Sequence, residues 1–514
     1  MSREAKELAA DDSGPGPLAL GELLATARSL APELFPLATA ESGTRRTSQY
    51  TTRVTGVAQD HQRVKPGDLF VARRGAKFDA HAFLGAAVAA GAVALIGETP
   101  QTADLGAPYL TVPDARRALP FLAAAFERQP SSKLRVLGVT GTDGKTTTSY
   151  LLQWLLLGSH QAALLSTAGM AIGTTPLAPL AGHFTTPEAS EVQALLGRFL
   201  RAGASHVVLE SSSHGFSLHR LDAVEYAVGV FTNLTPEHLD HHGNMAEYRE
   251  AKATLLRRAA RGVVNLDDEH ASYFLAASHQ PVTYGAAAGA DVRVGNVMQT
   301  PGGLVFDLRA FGEAFTVNLP LVGAFNAWNA AAAVAAAGLE GVPAGVAALR
   351  LASFPGVPGR MQLIQAEPVT VIVDFAHTAP ALTKALSAVR REGARTIVVV
   401  GAAGERDPGK RAPLGHAAVT GAELAVFTEE DSRSESTEEI LAQMAQGAAA
   451  AGAREGADYL LEPDRSAGIR LALRHARPGD VVLLAGKGHE RTLERATETL
   501  PWDEAAEARA ALAE

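Results

Sequence analysis

Residues 134–157 read LRVLGVTGTDGKTTTSYLLQWLLL: a near-continuous apolar run, a glycine-rich break carrying Lys-Thr, and a second apolar run. The first run suits a strand buried on both faces of a parallel sheet, and the second suits a buried helix. A strand feeding a helix through a short glycine loop commits this part of the chain to parallel α/β architecture, because the helix has to return across the sheet. The loop itself suits phosphate. Glycines let the backbone close around an anion, and the helix amino terminus presents N–H groups that lack partners of their own. Lys145 can place a positive charge on the terminal phosphates, and the Thr146 hydroxyl can hold Mg²⁺. Gly141, Thr142, Asp143, Gly144 and Thr147 complete the loop. Only Thr142 and Asp143 separate Gly141 from Gly144, whereas the commoner phosphate loop has about four intervening residues. The competing reading is a glycine turn that merely opens a helix. Strand, loop, Lys-Thr and helix in that order favour an ATP or GTP site.

At 514 residues the chain has room for roughly three domains of ordinary size. Blocks are expected at residues 1–130, 131–353 and 354–514, with breaker clusters at Pro130-Ser131-Ser132 and at Pro355 and Pro358. The first dozen residues read as a loose polar lead. The first block then alternates short apolar runs (residues 64–72 and 92–98) with a helix near residues 80–90, a small α/β pattern. The second adds candidate strands at 206–210 and 227–233 and an Ala-rich helix at 326–338. The third carries strands within 369–377, 396–401, 424–431 and 480–488. Many of these strands end in polar residues, and ligands in open α/β sheets bind beyond the carboxyl ends of strands.

Composition removes several chemistries. With no cysteine there can be no disulfide, thiolate metal site, iron–sulfur cluster or cysteine nucleophile. A net charge of −9 and 6% aromatic residues argue against nucleic acid as a partner. No signal peptide is evident and the longest weakly apolar run is too short to span a bilayer, so a cytoplasmic address with no membrane contact is expected.

Downstream of the loop, VVLESSSHGFSLHRL (residues 207–221) places Glu210 at a strand end, where a carboxylate could bind a hard cation beside a nucleotide. On physics alone a solvated loop glutamate is the favoured reading. Ser211, Ser212 and Ser213 could form a polar turn, and His214 and Arg220 could lie at the surface. In FTNLTPEHLDHHGNMAEYREAKATLL (residues 231–256), His238, Asp240, His241 and His242 crowd one loop before a helix that carries Lys252. No H-E-x-x-H spacing or thiolate accompanies these histidines, so Mg²⁺ held by Glu210, phosphate and an imidazole is a simpler reading than zinc. For Lys252 the default is a solvated helix face.

GTDGKTTT, TTPE, ESSSH, FTNLTPEHLDHHG with its following AK, LVGAFNAWNAAAA, GVPGRMQ, VDFAHT, GERDPGKR and AGKGHE occur in that order between about residues 60 and 490. This ordered set resembles the bacterial Mur ligases, and within them the branch that adds the third residue of the peptidoglycan stem peptide. The resemblance implies an α/β fold of three domains: an amino-terminal UDP-binding domain, a central P-loop parallel-sheet domain for ATP, and a carboxyl-terminal Rossmann-like domain for the incoming amino acid. It implies a ligase, acting as a monomer, that uses ATP as co-substrate with two Mg²⁺ ions to join a free amino acid to UDP-MurNAc-L-Ala-D-Glu through an acyl phosphate. By the same resemblance Lys145, Glu210, His238 and Lys252 are catalytic. Thr146, Glu210, His238 and a carbamylated Lys252 would bind metal. Asn326, Asn329, Arg360, Asp374 and His377 would join the loop in holding ATP. Asp60, Thr185, Thr186, Ser212 and Arg220 would hold the UDP-MurNAc-dipeptide, and Arg406, Asp431, Gly486 and Glu490 the amino acid.

Two departures stand out. The family's D-S-R reads Asp60-His61-Gln62 here, with Arg63 following. Ligases that add meso-diaminopimelate read D-N-P-R and pair that arginine with the distal carboxylate. With Asp431 at the Asp position, Arg433 falls on the Pro position and Ser434 on the Arg position. A site without a cation there rejects a second carboxylate, so L-lysine or L-ornithine is expected; a one-residue shift would let Arg433 serve instead. Folylpolyglutamate synthase lacks the first-block pattern, and the lipid II amidotransferase subunit usually carries a cysteine-rich zinc ribbon. A non-catalytic ATP-binding relative has no need of Lys145, Glu210, His238 and Lys252 together.

Overall fold

The computed structural model describes residues 14–36, 50–75, 78–101, 104–178, 185–300 and 302–514. The polar lead expected at the amino terminus lies outside them. Packing divides the chain into two compact units, Met1–Tyr284 with Ala335–Val342, and Gly285–Val334 with Pro343–Glu514.

The first unit contains two parallel sheets. The smaller has strands Gly56–Ala58, Asp68–Val71, Ala94–Gly97 and Tyr109–Thr111 in sequential order. The larger runs Ala162–Ser166, His206–Glu210, Arg135–Thr140, Tyr226–Phe231, Ala259–Asn265, Val282–Gly285, all parallel, with a hairpin of Gly169–Ile172 and Thr175–Pro176 on the Ala162 edge. Register sets the chemistry here: Glu210 lies opposite Val139 and Phe231 opposite Thr140. The loop after Thr140, Glu210, and the segment after Phe231 therefore leave the sheet at one end.

The breaker cluster at Pro130–Ser132 forms a 3-10 turn in which Ser131 is buried. Its hydroxyl donates to the Ala223 carbonyl (3.3 Å) and accepts from the Glu225 N–H (3.2 Å). Helix Ala115–Phe126 packs on helix Ala189–Arg201, and Ala189 joins the first block's core. Proline and serine there make a packed corner, which is why the first two blocks share one unit.

The second unit holds a six-stranded sheet in the order Gln362–Gln365, Thr370–Asp374, Val481–Ala485, Thr396–Val400, Leu424–Phe427, Tyr459–Leu461, parallel except for the first strand. Ile372, Val398 and Leu483 enter one apolar core while Val371, Val399 and Leu484 enter another. Successive side chains point to opposite faces, so a sheet covered on both sides needs unbroken apolar strands. An antiparallel meander of Val292–Thr300, Gly303–Ala310 and Glu313–Leu319 was not expected from the sequence. Its strands alternate buried and exposed positions, a weaker signal than a continuous run. The expected linker near Pro355 and Pro358 is also packed: Phe354 and Val357 are buried, and Gly359 lies against the Gly488–His489 peptide. No helix among the described residues is long and apolar enough to cross a membrane.

At the opposite end of the large sheet from Glu210, Glu340 accepts two hydrogen bonds from Arg135 (2.9 and 2.7 Å) and one from His206 (3.2 Å), while His160 stacks on His206. Burial alone would raise the Glu340 pKa, but these bonds outweigh it and hold the carboxyl at about 2. A depressed carboxyl stabilises the fold above its unfolded pKa and loses that contribution as pH falls through the folded value. Glu340→Gln is thus expected to cost about 2 kcal/mol at pH 7, with the gap to the parent narrowing between about pH 4.5 and 2 in denaturant melts.

Candidate functional site

The glycine loop is bound into its surroundings by backbone and hydroxyl contacts. The Thr142 N–H donates to the Asn233 carbonyl (2.8 Å), the Asp143 N–H donates to Asn233 Oδ1 (2.9 Å), and the Thr232 hydroxyl donates to the Asp143 carbonyl (2.6 Å). Thr142 Oγ1 also meets the Thr235 carbonyl and the Tyr248 hydroxyl, both at 3.2 Å. Gly141 has φ +149°, and a Cβ there would fall 1.8 Å from Thr232 Oγ1. Gly144 caps helix Lys145–Leu156 with φ +82°, and Thr147 lies in the first turn. The Lys145 ammonium donates to the Gly141 (3.1 Å) and Thr142 (2.7 Å) carbonyls, which holds it across the loop. Asn233, which ties the loop to the next strand, went unnoticed in the sequence.

Glu210 is a buried carboxylate, 1% exposed, so the solvated reading fails. Its oxygens accept from the Thr146 hydroxyl (3.1 Å to each), the Ser166 hydroxyl (2.6 Å), and the Thr167 N–H and hydroxyl (both 3.0 Å). Thr146 and Glu210 are hence adjacent hard-oxygen groups beside the loop, a donor set that fits Mg²⁺. Ser166 and Thr167 were not singled out from sequence; their signal is the same as for Glu210, a polar step at the end of an apolar strand.

Lys252 is also 1% exposed, against the default of a solvated face. Tyr248, Leu255 and Leu256, at −4, +3 and +4 from it, lie on the same buried stripe of helix Met245–Arg258, a spacing already legible in the sequence. The Lys252 Nζ donates to the Gly141 carbonyl at 2.5 Å and sits 4.3 Å from the Tyr248 ring centre. Burial, reinforced by Lys145, pushes its pKa well below that of an ordinary lysine, which favours the uncharged amine.

His238 is half-exposed, in a left-handed conformation, with its ring against His214 (4.8 Å) and Tyr248 (6.3 Å). No hydrogen bond or ion pair joins it to Glu210, and no group of three His, Asp or Glu side chains is placed to hold a metal among the described residues. His214 stacks on His241 at 4.2 Å, and His242 meets the Ser213 hydroxyl at 3.0 Å. Burial first, then the neighbouring imidazoles, lower His214 and His242 to about 4, so both are neutral at pH 7. Asp240 lies in the short helix Leu239–His242 of the same loop.

Thr186, Ser212 and Arg220 form one network. The Thr186 hydroxyl donates to the Glu210 carbonyl (3.2 Å) and meets the Ser212 hydroxyl (2.9 Å), which caps helix Ser213–Ser217. Arg220 is buried, not superficial: it donates to the Thr186 carbonyl (2.8 Å) and pairs with Glu188 (2.5 Å), which Arg73 shares at 3.2 Å. Thr185 precedes this network and is half-buried. A cleft of about 450 Å³ is lined by Arg74, Glu98, Asp114, Arg116, Ser217 and His219, with Pro113. Asp60 accepts from the Gln62 N–H, His61 stacks on Phe83, and Arg63 pairs with Glu191 at 3.2 Å. Arg63 is thus already paired within the fold.

In the second unit Asn326 and Asn329 open the Ala-rich helix, buried and joined at 2.8 Å. Asp374 accepts from the Met361 (2.8 Å) and Ala376 (2.9 Å) N–H groups, and burial raises its pKa. Arg360 lies over the Phe375 ring, which also packs on the His377 and His489 rings. A fully buried Lys487, missed from sequence, pairs with Asp431 and Glu490, both at 2.7 Å. Gly486 (φ +105°) faces Glu430, whose burial raises its pKa to about 8. Arg406 is exposed on the loop before Pro408, apart from these contacts. Arg433, the residue that a one-residue shift would bring into play, has its guanidinium 3.9 Å from Asp431, while Ser434, at the position where the family carries its arginine, bonds to Glu405. The left-handed backbone at Arg433 (φ +49°) turns its side chain inward.

Residues 139–337 match the family described as Mur ligase middle domain, and residues 359–488 match the Mur ligase, glutamate ligase domain. A UDP-N-acetylmuramyl-tripeptide synthetase of Deinococcus radiodurans is 47% identical over 504 residues, 96% of this chain and 99% of its own. The chain belongs to the Mur ligase family. A UDP-N-acetylmuramoyl-L-alanyl-D-glutamate–2,6-diaminopimelate ligase of Geobacillus thermodenitrificans is 38% identical over 474 residues, covering 90% of this chain and 95% of its own. The solved structure of another 2,6-diaminopimelate ligase has a TM-score of 0.67 at 29% identity, covering 97% of this chain and 99% of that one. This Mur ligase accordingly has the α/β, three-domain architecture of its family and is an ATP-dependent ligase. The loop geometry makes a direct test. Gly141→Ala, clashing with Thr232, is expected to lower ATP-dependent ADP release about 100-fold in protein whose circular dichroism is unchanged.

Proposed function

We propose that this Mur ligase acts as a UDP-MurNAc-tripeptide synthetase in peptidoglycan synthesis, a monomer in the cytoplasm that joins an amino acid to the D-Glu γ-carboxylate of UDP-MurNAc-L-Ala-D-Glu. The observation that carries the reading is the full-length similarity to a tripeptide synthetase, combined with a buried Glu210–Thr146 pair beside a lysine-bearing glycine loop. Residues 1–130 would take the UDP moiety, 131–353 ATP, and 354–514 the amino acid. Arg74, Arg116 and His219 make the cleft a suitable place for diphosphate, and His219 immediately precedes Arg220 in the chain.

The γ-carboxylate oxygen attacks the ATP γ-phosphorus, the bond to the β,γ-bridging oxygen breaks, and ADP leaves. The amine nitrogen of the incoming amino acid then attacks the resulting acyl phosphate carbonyl; phosphate departs and a proton is released. Lys145 and the N–H groups at the start of helix Lys145–Leu156 offset the repulsion between two anions and stabilise charge on the transferred group. Thr146 and Glu210, with His238 after rearrangement of its loop, would hold Mg²⁺. When bound, Mg²⁺ supplies charge neutralisation on the phosphates. Asn326, Asn329, Arg360, Asp374 and His377 are the further residues assigned to ATP.

Lys252 fits a carbamylated lysine. Its amine is shielded from solvent, and burial and Lys145 favour the uncharged amine, the state that can add CO₂ and release a proton. A carbamate on Lys252 would replace a cation with an oxygen anion next to the loop, and would supply a ligand for a second Mg²⁺. Carbon-13 NMR of protein equilibrated with labelled bicarbonate should give a carbamate signal that Lys252→Ala abolishes, and ligation should fall at least about 100-fold in that variant. An unaltered signal in the variant would remove Lys252 from the mechanism.

For the amino acid we propose a diamine with one carboxylate, L-ornithine or L-lysine, bound through Arg406, Asp431, Gly486 and Glu490. The support is that Arg433 already carries a carboxylate partner inside the fold. ADP release with UDP-MurNAc-L-Ala-D-Glu and each of L-ornithine, L-lysine and meso-diaminopimelate tests both substrates. Preference for meso-diaminopimelate would overturn the amino acid assignment, and silence with all three would overturn the function.

A further inference from the structure

Arg433 and Glu494 lie 61 positions apart in sequence, yet the fold locks them together twice. The Arg433 N–H donates to the Glu494 carbonyl at 3.0 Å, and the Arg433 Nε donates to Glu494 Oε2 at 2.9 Å. The Glu494 N–H in turn donates to Asp431 Oδ1 at 3.0 Å, and the Arg433 Nη1 donates to the Gly404 carbonyl at 2.7 Å. The guanidinium side chain is 19% exposed and its fork is turned inward, whereas the Glu494 side chain is 34% exposed. Glu494 Oε1 makes no hydrogen bond among the described residues, so one carboxylate oxygen remains available at the edge of the cluster. Among the described residues the ion pairs of Asp431, Glu490 and Glu494 are with Lys487 and Arg433, three carboxylates to two cations.

We propose that Glu494 is a specificity-determining residue: it occupies the guanidinium that would otherwise receive a second carboxylate, and offers its free oxygen to a distal ammonium. This rests on the reading that residues 354–514 bind the incoming amino acid. The charge logic follows from the geometry alone. A distal carboxylate entering here meets a guanidinium already bonded by Glu494, and faces the like charge of Asp431 and Glu494; a distal ammonium meets a carboxylate acceptor. A buried polar group left unpaired by the wrong substrate is what makes such discrimination large.

The test measures kcat and KM for L-ornithine, L-lysine and meso-diaminopimelate with the full-length chain. In Glu494→Ala, Arg433 is released, and kcat/KM for meso-diaminopimelate is expected to rise at least about 10-fold. KM for the preferred diamine should rise about 10-fold with kcat retained and KM for ATP unchanged, a split that a general loss of structure does not produce. The double variant Arg433→Gln/Glu494→Ala should lose the gain for meso-diaminopimelate. Should Glu494→Ala fail to fold, Glu494→Gln, which keeps the side-chain volume, should shift selectivity in the same direction by a smaller factor. Unchanged selectivity in a folded Glu494 variant, or a gain that survives removal of Arg433, overturns the role of Glu494 while leaving the diamine reading intact. A parent chain that prefers meso-diaminopimelate overturns that reading as well.

Discussion

The first unit is organised around one buried carboxylate. Removing a charged group from water costs several kcal/mol unless donors replace the lost hydration, and Glu210 is supplied by three hydroxyls and a backbone N–H. Those donors belong to the start of the loop helix and to the end of the neighbouring strand. Satisfying Glu210 thus fixes where the phosphate loop opens and where strand Ala162–Ser166 stops. The Glu210 carbonyl accepts from Thr186, which carries the constraint on to Ser212 and Arg220. The same residue joins the groups assigned to the nucleotide and those assigned to the UDP-linked substrate.

The two units deploy opposite charge. Around the loop, Lys145 and Lys252 both donate to the Gly141 carbonyl, so a shared acceptor holds two amines in one small volume. That crowding helps to disfavour the charged form of Lys252. In the second unit, carboxylates outnumber cations around Lys487, and Glu430 is pushed towards its neutral form by burial. The chain's net charge of −9 describes neither environment. Amines beside the loop and carboxylates around Lys487 are matters of local placement on an acidic protein.

Strands covered on both faces were legible because burial writes itself as an uninterrupted apolar run, as in Arg135–Thr140 and Val481–Ala485. The glycine loop was legible because its function needs particular backbone conformations at particular positions. The meander of Val292–Leu319 was not, since a half-exposed strand carries polar residues at every second place. Lys252 hid in plain view: the apolar stripe on which it lies is present in the sequence, but a lysine is normally assigned to water. Pairings such as Arg433 with Glu494 or Lys487 with Asp431 join distant segments, and no local pattern announces them. Register alone creates them.

A Cβ at Gly359 would fall 2.1 Å from the Gly488 carbonyl carbon and the His489 nitrogen, so backbone meets backbone there with no side chain between. Arg360 follows on one side of that contact and Glu490 on the other. Side chains can slide past each other by changing rotamer, but two peptide planes in contact have no such slack. The arginine assigned to ATP and the glutamate assigned to the amino acid consequently ride on a single stiff hinge-pin. A displacement of either one is a displacement of both, so the two segments cannot shift independently of each other.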